Sequence, residues 1–232
     1  MKKKKVAAVF FSDVHLGSRV CKAERVVAML DTFDPIHIFI LGDLYDDLNL
    51  HRLHKEHWEL LNRLREYSKK KHVLHIHGNH DWLLEPLGEF LGLDVVSEYI
   101  WEYNGKRMLL IHGHQFDDYV TNMPVVTEIA SFLYLCAQRI DKKQWFARFL
   151  KRKSKKYLRL SNKIAIRLSE YTKKAGADIA IFGHTHEPMD EMVNNIRIIN
   201  DGCATDAPSM CVICELDGTL HHYEMKDPDE KE

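Results

Sequence analysis

Three short apolar runs, each followed by a cluster of polar residues, dominate the first third of the chain. They cover residues 6–11, 36–41 and 73–76. Short, largely apolar runs of this length predict buried strands, and predicted helices follow them over residues 22–30, 50–67 and 82–92. The repeated order of strand, polar tip and helix is typical of a parallel sheet in an α/β protein. Ligands bind beyond the carboxyl ends of such strands, which is where all three polar clusters fall.

The pattern of strands changes after residue 98. Residues 99–103 and 106–111 flank Asn104-Gly105, a strong signal for a hairpin, so antiparallel pairing is expected there. Residues 177–182 resume the apolar strand pattern. Three later segments, residues 196–199, 210–216 and 219–225, are predicted as antiparallel strands. The expected fold class is therefore α/β, with an antiparallel part late in the chain.

A block of predicted helices separates these two groups of strands. Residues 123–140 and 156–175 carry apolar side chains at helical spacing, and a short aromatic segment, residues 144–150, lies between them. We interpret residues 117–175 as a helical insertion that caps a site. Residues 1–232 as a whole are interpreted as one domain.

Charge is distributed unevenly, although the net charge of the chain is only −1. Residues 142–174 contain 13 Lys or Arg and one acidic residue, so this segment carries +12 and the remainder −13. Such an asymmetry indicates an anionic partner for the basic segment.

Cysteine content and hydropathy indicate a cytoplasmic setting. Five cysteines form an odd set without a framework spacing, which is typical of reduced thiols. Cys211 and Cys214 lie in a predicted strand, where residues three apart point to opposite faces, so we interpret them as packing residues. The apolar run after Lys2–Lys5 has only six residues, too few for a signal peptide, and nothing approaches the ~20 apolar residues of a membrane span.

Five of the predicted strand ends carry side chains that bind metals. In chain order these are Asp13 and His15; Asp43; Asn79 with His80 and Asp81; His112; and His184 with His186. Side chains alternate along a strand, so Asp13 and His15 leave the first strand on the same side and can meet one ion. Carboxylate, imidazole and amide together suit divalent manganese, iron or zinc.

The series Asp13-Val14-His15, Gly42-Asp43, Gly78-Asn79-His80-Asp81, His112-Gly113-His114 and Gly183-His184-Thr185-His186 resembles the calcineurin-like metallophosphoesterase superfamily. The likeness covers the whole chain apart from the helical block. It implies a sandwich of two mixed β-sheets flanked by helices.

The same resemblance implies a ligand set. Asp13, His15 and His186 would hold one divalent ion, Asn79, His112 and His184 would hold a second, and Asp43 would bridge the two. Manganese is the expected metal, with iron or zinc as alternatives. His80 would stabilise the phosphoryl oxygens or protonate the leaving oxygen, and Asp81 would orient His80.

Within the superfamily, the chain most resembles the UDP-2,3-diacylglucosamine pyrophosphatases of lipid A synthesis. This resemblance implies hydrolysis of a nucleotide-sugar lipid, with the insertion as a lid for acyl chains and a basic surface for an anionic leaflet, at the cytoplasmic side of the inner membrane. A packed helical block with a solvated basic face is the alternative interpretation of the insertion.

Two residues depart from that group and leave other functions open. His80 stands where the group has Arg, and His114 stands where it has Asp. Histidine after Asn79 is the wider superfamily's choice, so a phosphodiesterase or nuclease is the alternative, with the +12 segment tracking a nucleic-acid backbone. A third alternative is a scaffold without activity. The oligomeric state stays open.

Overall fold

Eleven strands and four helices form the described part of the chain, residues 3–47, 49–81, 85–117 and 155–228 of a computed structural model. The strands are β1 (Lys4–Phe11), β2 (Phe33–Ile40), β3 (His72–Ile76), β4 (Asp94–Val96), β5 (Glu98–Tyr103), β6 (Lys106–Ile111), β7 (Ile179–Phe182), β8 (Met189–Val193), β9 (Ile196–Asn200), β10 (Ser209–Cys214) and β11 (Leu220–Met225). The helices are α1 (Ala23–Thr32), α2 (Lys55–Ser68), α3 (Glu85–Leu91) and α4 (Lys155–Lys174).

The strands form two mixed sheets. The first has the order β11-β10-β1-β2-β3-β4, in which β1 to β4 are parallel and β10 and β11 are antiparallel additions. The second has the order β5-β6-β7-β9-β8, with β6, β7 and β9 parallel and an antiparallel strand at each edge. The expected α/β sandwich of two mixed sheets flanked by helices is confirmed.

Strand β1 shows why residues 6–11 are apolar without interruption. Val9 and Phe11 pack on the helical side of the first sheet, whereas Phe10 packs between the two sheets, stacked 5.1 Å from Phe39 and 5.7 Å from Trp101. Both faces of this central strand are therefore buried, and a strand covered on both faces needs apolar residues at every position.

Three features of the sheets differ from the sequence prediction. Strands β4 and β8 were not predicted, because β4 has three residues and β8, with the sequence MDEMV, is largely exposed at a sheet edge. Strand β9 was predicted to be antiparallel, but it pairs in parallel with β7 and is antiparallel only to β8. The hairpin at Asn104-Gly105 is confirmed, with Tyr103 opposite Lys106.

The two cysteines of β10 lie on opposite faces, as predicted. Cys211 is buried on the helical side of the first sheet, and Cys214 is buried between the sheets. Burial raises the pKa of the Cys214 thiol to about 12. Both residues therefore behave as small packing groups.

Helix α4 is the described end of the predicted insertion. Its buried residues Ile164, Ala165 and Leu168 join the cluster on the outer face of the second sheet, and Gly176 follows it with a φ of +67°. This helix therefore flanks the sandwich. The predicted helix at 123–140 and the aromatic segment 144–150 lie outside the described residues. None of the helices described is both long and apolar enough to cross a membrane.

Candidate metal centre

The carboxyl ends of β1, β2, β3, β6 and β7 meet at one edge of the sandwich. Backbone hydrogen bonds tie the loops together there: Asp13 N–H donates to the Gly42 carbonyl at 3.1 Å, and His15 N–H donates to the Asp43 carbonyl at 3.0 Å. Within the second sheet, Gly183 N–H donates to the His112 carbonyl at 3.1 Å, and across the two sheets His184 N–H donates to Asp13 Oδ2 at 3.0 Å. All five predicted polar tips are thus brought to one place.

Backbone strain is concentrated at the predicted ligands. Five of the seven have φ values of 49° to 66°, in the left-handed region, namely Asp13, His15, Asp43, His184 and His186. Each such residue costs on the order of 1 kcal/mol or more and persists only where the surroundings enforce it. Strain of this kind is characteristic of sites where side chains are held for a purpose other than stability.

Two glycines let the loops approach one another. A Cβ on Gly42 would lie 2.3 Å from His112 Nδ1, and one on Gly78 would lie 2.0 Å from Asp43 Oδ1. These distances are far below van der Waals contact, so the side chains of His112 and Asp43 occupy space that only glycine leaves open.

Asp13 presents one oxygen to the protein and the other to the centre. Its Oδ2 accepts hydrogen bonds from Ser12 Oγ at 2.5 Å and from His184 N–H at 3.0 Å. Its buried Oδ1 has no hydrogen bond of good geometry within the described residues, and it lies 3.1 Å from His186 Nε2 and 3.9 Å from His15 Nε2. Burial raises the pKa of Asp13, but His186 outweighs burial and holds this pKa below its ordinary value.

Asp43 lies between two groups of donor atoms. Its Oδ1 accepts the His80 N–H at 2.9 Å, while Oδ2 lies 3.4 Å from His112 Nε2 and 4.0 Å from His15 Nε2. Burial raises the pKa of Asp43, but His112 and His80 outweigh burial and lower this pKa. An ionised oxygen in this position can bind two cations at once.

The four predicted histidine ligands each have one ring nitrogen facing an oxygen of the protein. The pairs are His112 Nδ1 with Leu41 O at 2.7 Å, His184 Nε2 with Asp117 Oδ2 at 3.0 Å, His186 Nδ1 with Asp206 Oδ2 at 3.6 Å and His15 Nδ1 with Asp46 Oδ1 at 3.8 Å. Histidine ligands typically hold their ring in this way. The two hydrogen bonds leave Nε2 of His112 and Nδ1 of His184 for a metal. The contacts of His186 and His15 are longer than a hydrogen bond, and in these two rings Nε2 faces Asp13 Oδ1, at 3.1 and 3.9 Å.

These donors fit divalent ions. Ligand atoms of Asp13, His15 and His186 lie within 4.8 Å of one another, as do those of Asp13, Asp43 and His112. Asn79 Oδ1 lies 3.3 Å from His112 Nε2, and the His184 ring lies 5.2 Å from the His112 ring. A manganese, iron or zinc ion would give Asp13 Oδ1, which has no hydrogen-bond partner among the described residues, a positive partner. The mixed nitrogen and oxygen donors suit these ions.

His80 stands at the exposed rim of the centre. Its Nδ1 lies 2.9 Å from the Asp46 carbonyl, and its ring is 5.0 Å from the His15 ring. Burial lowers the pKa of His80, but Asp43 and the hydrogen bond to Asp46 outweigh burial and raise this pKa above its ordinary value. Its Nε2 has no hydrogen-bond partner among the described residues, so this atom is available to a bound group.

Asp81 has different partners from those predicted. Its carboxylate accepts the N–H groups of Gly78 and Tyr45, both at 3.0 Å, and lies 3.1 Å from His75 Nε2. Within the described residues, the His80 ring is oriented by Asp46 instead. Through these hydrogen bonds Asp81 joins the tip of β3 to the loop after β2. Neighbouring side chains in a turn point in different directions, so Asp81 does not face the His80 ring.

Sequence reasoning missed several residues beside the centre. Asp46, Asp117 and Asp206 face ligand histidines, and the Cys203 thiol lies with His186 and Asp206 in a group of donors within 4.8 Å. His114 is also adjacent, with its ring 5.4 Å from that of His112. Burial, reinforced by His112 and His184, lowers the pKa of His114 to about 3, so its ring is neutral.

A buried acid supports Asp13 from behind. Asp201 Oδ1 lies 2.7 Å from Ser12 Oγ, whose hydroxyl reaches Asp13, and Asp201 Oδ2 is buried without a hydrogen-bond partner among the described residues. Burial, together with the charge of Asp13, raises the pKa of Asp201 well above its ordinary value. Ser12 Oγ therefore lies within hydrogen-bond distance of both carboxyl groups, and the raised pKa of Asp201 favours its protonated form.

Residues 7–218 match the model of the calcineurin-like phosphoesterase superfamily domain. The chain belongs to this superfamily. It is 28% identical to the UDP-2,3-diacylglucosamine hydrolase of Blochmanniella pennsylvanica (strain BPEN), over 93% of this chain and 95% of that protein. The superfamily and this hydrolase relative identify the chain as a metal-dependent phosphoester or pyrophosphate hydrolase.

Solved structures share the fold at low sequence identity. A novel archaeal phosphodiesterase matches with a TM-score of 0.53 and 15% identity, over 94% of this chain and 98% of the other. Yfce, a phosphoesterase from E. coli, matches with a TM-score of 0.52 and 18% identity, over 94% of this chain and 99% of the other. These likenesses extend to the arrangement of the sheets.

The raised pKa of Asp201 predicts how stability changes with pH. In the metal-free protein, Asp201→Asn should gain stability relative to the wild type as pH rises above the ordinary carboxyl pKa of 3.8. The unfolded wild type releases this proton while the folded protein retains it, so wild-type stability falls, at a slope approaching ~1.4 kcal/mol per pH unit. Urea unfolding of both proteins at a series of pH values measures the difference.

Asp190→Asn is the matched control. Arg197 lowers the pKa of the Asp190 carboxyl, so this substitution should show the opposite trend with pH. A stability difference between Asp201→Asn and the wild type that does not change with pH would show that folding does not raise the pKa of Asp201.

Proposed function

We propose that this protein uses two divalent ions to hydrolyse a pyrophosphate bond in a nucleotide-sugar lipid of the UDP-2,3-diacylglucosamine type, as a step of lipid A synthesis. The position of Asp43 carries the two-ion part of the proposal. Its Oδ2 lies between His15 Nε2 at 4.0 Å and His112 Nε2 at 3.4 Å, where one oxygen can serve two ions. The 28% identical hydrolase relative supports the substrate class.

The proposed ligand sets are those that the family resemblance implies, and the positions of the donor atoms support them. Asp13, His15 and His186 would hold one ion, Asn79, His112 and His184 would hold the other, and Asp43 would contact both. When bound, two such ions clamp a phosphoryl group and acidify the attacking water. Manganese is the proposed metal, with iron or zinc as alternatives, because all three accept nitrogen and oxygen donors.

His80 is the proposed acid of the reaction. The Asp46 carbonyl accepts the Nδ1 proton and fixes the ring, so Nε2 is free to face a phosphate. The raised pKa of His80 favours the protonated ring, whose proton would stabilise the phosphoryl oxygens or pass to the leaving oxygen. Asp81, whose carboxylate binds Gly78 and Tyr45, has no role in orienting the His80 ring in this proposal.

The basic segment is the proposed contact with the lipid surface. Residues 142–174 carry +12, and each basic residue near an anionic leaflet contributes roughly 1 kcal/mol of attraction. We propose that residues 117–175 form a helical cap over acyl chains, and that the protein acts in the cytoplasm at the surface of the inner membrane. Helix α4, whose apolar face packs on the second sheet, would be the base of this cap.

A phosphodiesterase or nuclease is the second candidate. His80, where UDP-2,3-diacylglucosamine pyrophosphatases have Arg, favours general phosphodiester chemistry, and the charge of +12 in residues 142–174 suits a nucleic-acid backbone equally. This candidate uses the same centre, so substrate choice separates the two.

A panel of substrates tests the proposed function. The purified, manganese-loaded protein should release UMP from UDP-2,3-diacylglucosamine and leave cyclic nucleotides and single-stranded DNA intact, measured by product chromatography. Cleavage of DNA, with binding that weakens steeply as salt rises, would instead establish the second candidate. Chelation by EDTA should abolish either activity.

Replacing His80 tests its assigned role. His80→Ala should keep both ions, because none of the proposed ligands is changed, and should lose about 10²- to 10⁴-fold in kcat, the usual contribution of a positioned acid. Metal analysis and steady-state kinetics measure both quantities. His51→Ala, at an exposed histidine outside the centre, is the control. Full turnover in His80→Ala, with its metal content verified, would remove His80 from the mechanism.

A further inference from the structure

We propose that Asp117 is a positioning residue that fixes the ring of His184 for binding the second metal ion, an inference that rests on the proposed two-ion function. Asp117 Oδ2 lies 3.0 Å from His184 Nε2, and the two side chains are only 7% and 10% exposed. A hydrogen bond between an imidazole and a carboxylate in such enclosed surroundings is strong, since little water competes for either partner.

The contact determines which nitrogen of His184 can bind a metal. A carboxylate accepts hydrogen bonds, so the ring proton is assigned to Nε2 and the lone pair to Nδ1. His112 has the opposite arrangement, because its Nδ1 donates to the Leu41 carbonyl and leaves Nε2 free. Without Asp117, the His184 ring could rotate and its proton could move from Nε2 to Nδ1. The His112 ring would keep its hydrogen bond to Leu41.

Local backbone structure places Asp117 beneath His184. Gly113 reverses the chain after β6 with a φ of +107°, and residues His114–Phe116 form one 3₁₀ turn. Asp117 N–H donates to the His114 carbonyl at 3.1 Å, which closes this turn and directs the next side chain inward. Asp117 itself is 5% exposed, so its position is determined by packing.

Helix α4 holds the same turn from outside. Arg167 Nη1 donates to the Phe116 carbonyl at 3.0 Å, and the Phe116 ring lies 5.5 Å from the Tyr171 ring. The residue that orients His184 is thus attached to the helix at the end of the proposed cap. These contacts join helix α4 to the turn that carries Asp117.

Among the carboxylates that face ligand histidines, Asp117 makes the shortest contact. Asp206 lies 3.6 Å from His186 Nδ1 and Asp46 lies 3.8 Å from His15 Nδ1, distances beyond a hydrogen bond. The effect of removing Asp117 should therefore be specific to the ion that His184 binds.

Metal titration of variants tests the proposal with a readout other than activity. Asp117→Ala should bind one manganese ion with wild-type affinity and the other 10- to 100-fold more weakly, as is usual when the outer partner of a histidine ligand is removed. Asp117→Asn retains an oxygen that can accept the Nε2 proton, so it should lose less than Asp117→Ala. Isothermal titration gives both affinities, and electron paramagnetic resonance shows whether the two ions remain coupled.

Asp190→Ala is the control for the loss of a carboxylate, because Asp190 on β8 forms an exposed ion pair with Arg197 on β9. Unchanged affinity for both ions in folded Asp117→Ala would overturn the proposal, as would equal weakening of both ions. If Asp117→Ala does not fold, Asp117→Asn decides by the same criteria. A wild-type protein that binds fewer than two ions would instead contradict the proposed function itself, so the two failures are distinguishable.

Discussion

Two carboxylates buried at the meeting edge of the sheets, Asp13 and Asp43, impose the constraint on which the rest of this centre depends. Asp13 is fully buried and Asp43 is 3% exposed. Placing charge in such surroundings is costly unless positive charge compensates it. Here the compensation comes from histidines on four strand ends, and divalent ions between them would complete it.

The backbone is adapted to keep those carboxylates where they are. Five predicted ligands take left-handed backbone conformations, and Gly42 and Gly78 leave the space that His112 and Asp43 fill. These features are unfavourable for stability taken alone. They are maintained because β1, β2 and β7 lie in sheets that are buried on both faces, which fixes the position of each strand. The packing of the strands balances the backbone strain of the residues that follow them.

Much of this arrangement follows from sequence. Parallel strands place their carboxyl ends at one edge, so the sequence alone predicts that the polar tips at Asp13, Asp43 and Asn79 converge. The pairing of β9 was not predictable, because an apolar strand of five residues fits equally beside a parallel or an antiparallel neighbour. The short strand β4 and the polar edge strand β8 lack the length or pattern that sequence analysis detects.

The outer residues of the centre were missed for a different reason. Asp46, Asp117 and Asp206 carry no motif, and they matter only because tertiary structure places their oxygens opposite ligand histidines. A search for acids within a few residues of each motif would have found Asp46 and Asp117. Asp81 shows that residues adjacent in the sequence need not touch. Its side chain makes no hydrogen bond to the His80 side chain among the described residues and binds Tyr45 and Gly78 instead.

The central claim is that one oxygen of Asp43 is shared by two ions. Electron paramagnetic resonance of the manganese-loaded wild-type protein tests it most directly, because ions roughly 3.5 to 4 Å apart couple magnetically. The account predicts the spectrum of a coupled pair at two ions per chain, which is lost in Asp43→Ala. A wild-type spectrum of isolated ions at full loading, or saturation at one ion per chain, would contradict it.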